Sequence, residues 1–462
     1  MLVIRSCCLK FEVPQMNDTV SGPMMIERNP QDAALFRILP AQEPQTGVTY
    51  VPSQFAVTFT HNGKRYVFHT LTKQLLETDL RNAAKSNIGK EALIRGLFLV
   101  PEGKDECAYY QSVSTLMRIY NRKEGNRTFM ILPTFGCNAR CVYCYEEGMK
   151  PISMTAETAD AVVRYIVETH AIDPVKINWF GGEPLLRPDI IDRVSGGLQK
   201  AGVRYRGGIV SNGSLITPEI LEKMKGLWNV TSIQISVDGC ERDYIGRKRY
   251  VGYHDYYRSV MRSISDMSEA GIRVLVRCNT EESIWDGVPQ FLKDLSETVV
   301  HKKNVQVYFS PLDHVRRGPD AYALWEKILD ARTLIREAGF EPQMQLGPKL
   351  SFDVFHCMAD GGSVVIGPDG KLYPCDHCDP DTCFGDVFRG TTNEAARTEF
   401  CRTDRIREQC RACPYLPCCT GFATCPVQDA DCRRIRELYT VSLLKDFIDR
   451  KTITADGDDP VC

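Results

Sequence analysis

The run Thr134-Phe135-Gly136-Cys137-Asn138-Ala139-Arg140-Cys141-Val142-Tyr143-Cys144-Tyr145-Glu146-Glu147 sets three cysteines in a CxxxCxxC spacing. They lie on a short loop after an apolar stretch that ends at Pro133. Three thiolates from one tight loop suit a four-iron cube. Such a cube is held by cysteine sulfur and, given only three of them, keeps one iron free for a small molecule. Structural zinc asks instead for a closed set of four ligands, usually in CxxC pairs. An open iron implies chemistry at this loop. The competing reading, three cysteines packed as small apolar side chains, fits poorly with that spacing on a loop.

The chain around this loop has 462 residues, enough for two to three domains, with a formal net charge of -2 and 43% hydrophobic residues. These values describe a globular chain without the basic footprint of a nucleic-acid binder, so no nucleic-acid partner is expected. Twenty cysteines are the anomaly, and twelve of them fall between Cys357 and Cys462. The first ten residues lack the long apolar core of a secretory signal, and no run of 18 apolar residues occurs anywhere. No membrane segment is expected, and a reducing cytoplasm is, where clustered cysteines bind metal more often than they cross-link.

Residues 1 to about 48 carry prolines at 14, 23, 30, 40 and 44 and no assignable chemistry; Cys7 and Cys8 read as free thiols. Alternating runs, Phe55 to Phe59 and Tyr66 to His69, flank His61-Asn62-Gly63-Lys64, and Asn-Gly between such runs signals a hairpin. Helix-like segments over 71–84 and 90–95 and a strand from Gly96 complete a small winged-helix-like module, assigned with a linking helix at 109–120 to a domain over 1–125. From 126 to 345 strand and helix patterns alternate. Strands are expected at 130–132, 175–179, 208–211, 232–236, 273–277 and 305–309. Helices are expected at 156–169, 188–200, 217–226, 254–270, 286–297 and 320–338. Six β-α units in a row specify a parallel sheet with right-handed crossovers. Ligands collect at the carboxyl ends of such strands, which is where the cysteine loop falls.

With Tyr143 as the aromatic residue, the loop resembles CxxxCxΦC, the signature of the radical S-adenosylmethionine (radical SAM) enzymes. That resemblance implies an α/β fold, a partial (β/α)6 TIM-like barrel. It also implies that Cys137, Cys141 and Cys144 hold a [4Fe-4S] cluster whose open iron binds S-adenosyl-L-methionine. An electron from the cluster then cleaves the cofactor to a 5'-deoxyadenosyl radical that abstracts hydrogen from substrate. Gly181-Gly182-Glu183-Pro184, after the second strand, resembles the family's GGE motif, whose backbone and glutamate grip the cofactor's ammonium. Glycine there permits a tight bend and close approach to the ligand. Ser211-Asn212-Gly213 resembles the segment that contacts the ribose and carboxylate region. Ser236, in Ser236-Val237-Asp238-Gly239, and Arg277, in Arg277-Cys278-Asn279, stand where the family places polar cofactor contacts. A bare Asn-Gly or Asp-Gly is otherwise only a turn. Arg242, Arg247, Lys248 and Arg249 read as a basic loop, either a solvated charge run or a grip for an acidic peptide.

Beyond about residue 346 cysteine takes over, in an expected domain over 346–440 followed by a helix and tail at 441–462. Cys357, Gly370 and Cys375, then Cys410-x2-Cys413-x5-Cys419, Cys425 and Cys432, resemble the SPASM extension, C-x(9-15)-G-x4-C, gap, C-x2-C-x5-C-x3-C, gap, C. The resemblance implies two auxiliary [4Fe-4S] clusters and three clusters in all. Cys357, Cys375 and Cys425 would hold the first, and Cys410, Cys413, Cys419 and Cys432 the second. One position departs: Ala423 stands where the family has cysteine. The first set is thus one short, to be completed by Cys378 or Cys383 or left open for a substrate thiolate. Cys418 is an alternative ligand to Cys419, and Cys401 and Cys462 stay unassigned. Zinc is the rival for the CxxC pairs.

The resemblance implies a cytoplasmic, oxygen-sensitive maturase that forms a thioether or carbon-carbon cross-link in a ribosomally made precursor peptide. Its electron would come from an external donor such as flavodoxin or ferredoxin. The N-terminal module resembles a leader-peptide recognition element by pattern alone, with a structural cap as the alternative. Tyr373-Pro374-Cys375-Asp376 resembles the anaerobic sulfatase-maturating enzymes, which make formylglycine, with Asp376 as candidate catalytic base; an Asp after a turn more often bonds a backbone amide. A zinc-stabilised binding protein is the alternative without catalysis.

Overall fold

The computed structural model describes residues 42–85, 87–123, 125–170, 174–252, 255–343, 362–400, 406–418 and 431–455. Cys7, Cys8, Cys357, Cys401, Cys419, Cys425 and Cys462 lie outside them. The described residues form two compact units, one through Glu106 and one from Cys107 onward.

The first unit contains β1 (Tyr50–Pro52), β2 (Ala56–His61), β3 (Lys64–His69), β4 (Leu75–Glu77) and β5 (Leu99–Pro101). β1 pairs with β5, and β2, β3 and β4 form an antiparallel sheet. Asn62 and Gly63 both have positive φ, 48° and 75°, which gives the tight hairpin its right-handed twist. The helix expected over 71–84 is replaced by β4 and a single turn at Leu80–Ala83, with a longer helix at Asn87–Arg95. Lys73, at φ 58°, closes a turn whose N–H reaches the His69 carbonyl at 2.7 Å, and this reverses the chain so that β4 adds to β3. Sheet pairing overrides the local helical pattern here. Val67, Leu80, Leu93, Ile94, Phe98 and Leu99 close the small core. Beneath β3, His69 Nδ1 accepts from Thr72 N at 3.1 Å and its Nε2 lies 3.3 Å from Ser53 Oγ. Ser53 donates in turn to Glu106, which also accepts from Gln54 N at 2.7 Å.

In the second unit β6 (Thr128–Ile131), β7 (Val175–Trp179), β8 (Tyr205–Ser211), β9 (Val230–Ser236), β10 (Arg273–Thr280) and β11 (Val305–Pro311) pair in parallel in their sequence order. Unreversed order with crossovers of one hand puts every helix on the same face, so the sheet curls toward a barrel. Helices follow at Ala156–Thr169, Pro188–Lys200, Pro218–Lys225, Tyr257–Glu269, Val288–Thr298 and Ala321–Glu337. They bury Val162, Ile191, Ile264, Phe291 and Trp325 against Ile177, Ile209, Ile235, Val276 and Val307 of the strands. β12 (Glu341–Pro342) continues the sheet beside β11.

The cysteine-rich extension is built onto the other edge of the same sheet. β13 (Ser363–Ile366) lies parallel to β6, with Ser363 opposite Thr128, and β14 (Lys371–Tyr373), β15 (Gly385–Asp386) and β16 (Gly390–Thr391) follow antiparallel. One helix, Cys432–Ala455, runs through residue 440 and packs on Ala321–Glu337, where Asp446 takes Arg332 and Arg336 and Trp325 meets Tyr439 at 5.1 Å. Among the described residues no helix is long and apolar enough to cross a membrane.

Candidate active site

The loop after β6 carries Cys137, Cys141 and Cys144, all partly exposed. Cys144 N donates to Cys141 O at 3.1 Å, turning the chain between the two cysteines. Ala139 N points at Cys137 Sγ at 3.4 Å, and Asn212 Nδ2 lies 3.9 Å from the same sulfur. Burial pushes the Cys137 thiol up to about 11 and raises those of Cys141 and Cys144, so as free thiols all three are protonated near neutrality. A bound metal reverses that balance by holding the thiolates. Three sulfurs on one loop, with N–H donors aimed at one of them, match the donor set of an iron-sulfur cluster.

Gly181 and Gly182 press against this loop. A Cβ on Gly181 would stand 2.4 Å from the Thr134 carbonyl oxygen, and one on Gly182 2.3 Å from that of Gly136. Gly182 N and Glu183 N donate to those same carbonyls at 3.1 and 2.9 Å. The glycines thus allow close contact between the two loops. Glu183 is fully buried; it accepts from Ser211 Oγ at 2.9 Å, Asn212 N at 2.8 Å and Leu185 N at 3.1 Å. Asn212 goes on to donate to Asn138 Oδ1 at 2.8 Å, closing a ring between the ends of β6, β7 and β8.

Behind Tyr143 lies a charged network. Its hydroxyl donates to Asp238 and accepts from Lys248 Nζ and Asn279 Nδ2, each at 3.1 Å. Asp238 and Lys248 form an ion pair at 3.3 Å with side chains 0% and 3% exposed. Burial alone would pull the Lys248 ammonium down, but Asp238, Tyr143 and Cys141 outweigh it and hold the group well above an ordinary lysine. Burial and Asp238 keep the Tyr143 phenol protonated. Lys248 and Arg247 end a helix, Glu241–Lys248, where a basic loop was expected, and both are buried. The solvated-run reading is therefore corrected for these two. Their backbone carbonyls accept from Arg140 N at 3.1 Å and Val142 N at 3.0 Å, strapping the cysteine loop to the helix end. Asp238 and Asn279 are positions the sequence reading does not reach, and Lys248 enters it only as part of the basic run. The Ser-Val-Asp-Gly and Arg-Cys-Asn strand ends were the available signal, but the pairing needs positions 143, 238, 248 and 279 in one place.

Ser236 and Arg277 lie side by side in register on the sheet face opposite the helices. Arg277 Nε donates to Asn279 Oδ1 at 2.9 Å and an Nη to Ser310 Oγ at 3.2 Å. On the same face Tyr308 donates to Gln234 Oε1 at 2.8 Å.

Because β13 flanks β6, the Cys375 to Cys378 loop comes to the cysteine loop. Tyr145 and His377 rings lie 4.9 Å apart, and burial, then Asp376, pushes the Glu146 carboxyl up to about 7. Asp376 accepts from Cys375 Sγ at 3.4 Å. Cys378 N donates to Cys375 O at 3.1 Å, and the Cys378 side chain is buried with Leu132, Val365 and Tyr373. Cys413 N donates to Cys410 O at 3.1 Å, while Cys432 opens the terminal helix. Among the described residues no three His, Cys, Asp or Glu side chains converge on a single metal ion. The expected ligand sets cannot close there, since Cys357, Cys419 and Cys425 lie outside.

Parallel strands ending in a three-cysteine loop, with a second cysteine loop on the adjoining sheet edge, define an iron-sulfur enzyme of the partial-barrel class. The radical SAM superfamily model matches residues 131–282, and that of the SPASM iron-sulfur cluster-binding domain matches residues 357–414. The AdoMet-dependent heme synthase of Methanosarcina barkeri is 32% identical over 324 residues, 62% of this chain and 88% of that protein. The antilisterial bacteriocin subtilosin biosynthesis protein AlbA of Bacillus subtilis is 24% identical over 62% of this chain and 65% of its own length. Native anSMEcpe with bound AdoMet and Kp18Cys peptide superposes with a TM-score of 0.55 at 16% identity, over 70% of this chain and 98% of that one. The chain belongs to the radical SAM superfamily and carries a SPASM extension. S-adenosylmethionine, a [4Fe-4S] cluster and auxiliary iron-sulfur clusters are its implied cofactors.

Proposed function

We propose that the chain modifies a ribosomally made precursor peptide, joining two of its residues by a thioether or carbon-carbon bond. The observation that carries the reading is the meeting of the Cys375 to Cys378 loop with the cysteine loop at Tyr145, Glu146, Asp376 and His377. A substrate sulfur held on the extension side would lie next to the site of hydrogen abstraction. The names of AlbA, a bacteriocin biosynthesis protein, and of the peptide-bound anSMEcpe support a peptide. The heme synthase relative supports a second reading, chemistry on a porphyrin.

Cys137, Cys141 and Cys144 would hold the cluster, and Cys375, Cys378, Cys410, Cys413 and Cys432, with Cys357, Cys419 and Cys425, supply the auxiliary clusters. With S-adenosylmethionine bound and an electron from a flavodoxin or ferredoxin, the cluster supplies one-electron cleavage of the cofactor and hydrogen abstraction. Glu183, Ser211 and Asn212 wall the cofactor side, with Asn212 fixing Cys137. Tyr143, held by Asp238, Lys248 and Asn279, fixes the loop between Cys141 and Cys144. Glu146, pushed up to about 7 by burial and then by Asp376, can hold a proton between the two cysteine loops near neutral pH. The cytoplasm is the compartment that suits these thiols.

Anaerobic reconstitution tests this. The parent should bind about twelve irons per chain and form 5'-deoxyadenosine with dithionite, and a Cys137→Ala, Cys141→Ala, Cys144→Ala variant about eight irons and none. Deoxyadenosine from that variant above background defeats the assignment. Mass spectrometry of candidate precursors separates a cross-link, two hydrogens lighter, from formylglycine, an aldehyde; turnover of an iron porphyrin without any peptide change would favour the second reading.

A further inference from the structure

The basic run over 242–249 divides between two faces of the helix Glu241–Lys248 and its cap. Tyr244, Arg247 and Lys248, at i, i+3 and i+4, are buried. Arg242, Ile245 and Arg249, at i, i+3 and i+7, form an exposed stripe on the other side. The cysteine loop runs antiparallel beside the end of this helix. Val142 N donates to Arg247 O at 3.0 Å, Arg140 N to Arg249 O at 2.9 Å and Val251 N to Asn138 O at 2.8 Å. Arg140 and Val142, on either side of Cys141, are exposed as well. Val142, Ile245 and Val251 keep 47%, 38% and 56% of their surface in solvent, so three large apolar side chains lie open in one place. The cations around them are short of carboxylates. Arg140 Nη1 donates to the Cys137 and Ala139 carbonyls at 2.7 and 2.8 Å, and Arg249 Nε to the Gly246 carbonyl at 3.3 Å. Neither has an ion-pair partner among the described residues. Arg242 takes Asp243 at 2.9 Å, and the neighbouring Glu241 is held by Arg258 at 3.1 Å.

An exposed apolar patch with a polar rim marks a protein contact, and arginine is enriched in such contacts while lysine is depleted. Electron-transfer pairs meet over small areas, below about 1,200 Å², and charge guides their encounter. We propose that Arg140, Val142, Arg242, Ile245, Arg249 and Val251 form the docking surface for an acidic one-electron carrier protein of the flavodoxin or ferredoxin type. This rests on the reading of Cys137, Cys141 and Cys144 as cluster ligands. One electron passes from the reduced carrier to the cluster those thiolates would hold; the carrier is oxidised by one electron, and no bond or proton moves. Cys141, between Arg140 and Val142, is the ligand beside this surface. The apolar centre favours a folded acidic partner over an acidic peptide, which brings charge alone. The basic run thus has two duties: Arg247 and Lys248 hold the cysteine loop from within, and Arg242 and Arg249 face the carrier.

Binding of a dye-labelled recombinant flavodoxin to the reconstituted holoenzyme, followed by fluorescence anisotropy, reads the surface directly. Ile245→Ser combined with Arg249→Glu should weaken that binding about ten-fold. Raising NaCl from about 50 to about 300 mM should weaken the parent strongly and the double variant little. Arg206→Glu, at an exposed position of β8 outside the patch, should bind as the parent does. In turnover the double variant should keep the parent's iron content and its dithionite-driven 5'-deoxyadenosine. Flavodoxin-driven formation should fall about ten-fold at low flavodoxin and recover at saturation, since docking is what has been lost. Unchanged flavodoxin affinity in the double variant overturns the surface, as does an equal loss in Arg206→Glu. An octaglutamate peptide that binds the parent and is lost with the same substitutions, while flavodoxin is unaffected, assigns the patch to an acidic peptide and overturns the carrier. A parent that makes no 5'-deoxyadenosine with dithionite fails the cluster reading instead, and the anisotropy comparison still decides the surface.

Discussion

Ser53, His69 and Glu106 in the first unit and Tyr143, Asp238, Lys248 and Asn279 in the second are both buried polar networks, but they are charged differently. In the first a neutral imidazole, 1% exposed, passes one N–H to a serine, and burial lowers its value to about 3, so it stays uncharged. In the second Lys248 and Asp238 form an ion pair beside a phenol, and Asp238 holds the lysine well above its ordinary value. The first network ties the end of β3 to Glu106 through Ser53. The charged one backs a loop whose three thiols must lie still. A full ion pair in a dry site is an expensive way to stabilise a fold, and it gives direction where apolar packing gives none. The contrast teaches that the second network is built to fix geometry.

The largest expected effect breaks that network. Lys248→Met leaves Asp238 buried without its counter-charge and should cost about 3–5 kcal/mol in urea unfolding, part of it recovered when Asp238→Asn is added. A loss under about 1 kcal/mol would mean that the pair does not hold the loop. Next comes Tyr143→Phe, which removes one hydroxyl from three partners and should cost about 1.5–3 kcal/mol, with iron retained on gel filtration falling in parallel. If stability drops and iron stays, the phenol supports the fold without positioning the cysteines.

Acidification should act on the other network. His69 titrates near 6.5 when unfolded and about 3 when folded, so below 6.5 the unfolded chain takes the proton first. Stability of the first unit is therefore complete above 6.5 and lost on lowering the pH, by about 1.4 kcal/mol per unit down to about 3, or about 2 kcal/mol at pH 5. Hydrogen exchange resolved by segment should show β3 amides losing protection at pH 5 relative to those of β9. Equal protection would show that His69 is already charged at pH 7 or never buried. Ser53→Ala is the mildest change, about 1 kcal/mol in urea unfolding for an acceptor lost from the imidazole, and it should leave the slope with pH unchanged, since one proton is still taken up.

The alternation of strand and helix from residue 128 to 338, the three-cysteine loop at the first strand's end and the GGE turn after the second were all legible in the chain, because each depends on periodicity or spacing within one short stretch. The Asn62-Gly63 hairpin was legible for the same reason: a turn needing two positive φ angles names its residues. What the sequence could not decide is which distant residues share a space. Lys248 reads as part of a basic run, solvated or gripping a peptide, and only the helix Glu241–Lys248 turns it under the cysteine loop beside Asp238. The pairing of β13 with β6, across more than two hundred residues of chain, delivers Asp376 to Glu146, and no local pattern announces it. Spacing along a chain fixes the ligands that one loop can offer; pairing between strands fixes which loops meet, and that depends on long-range contacts no local pattern encodes.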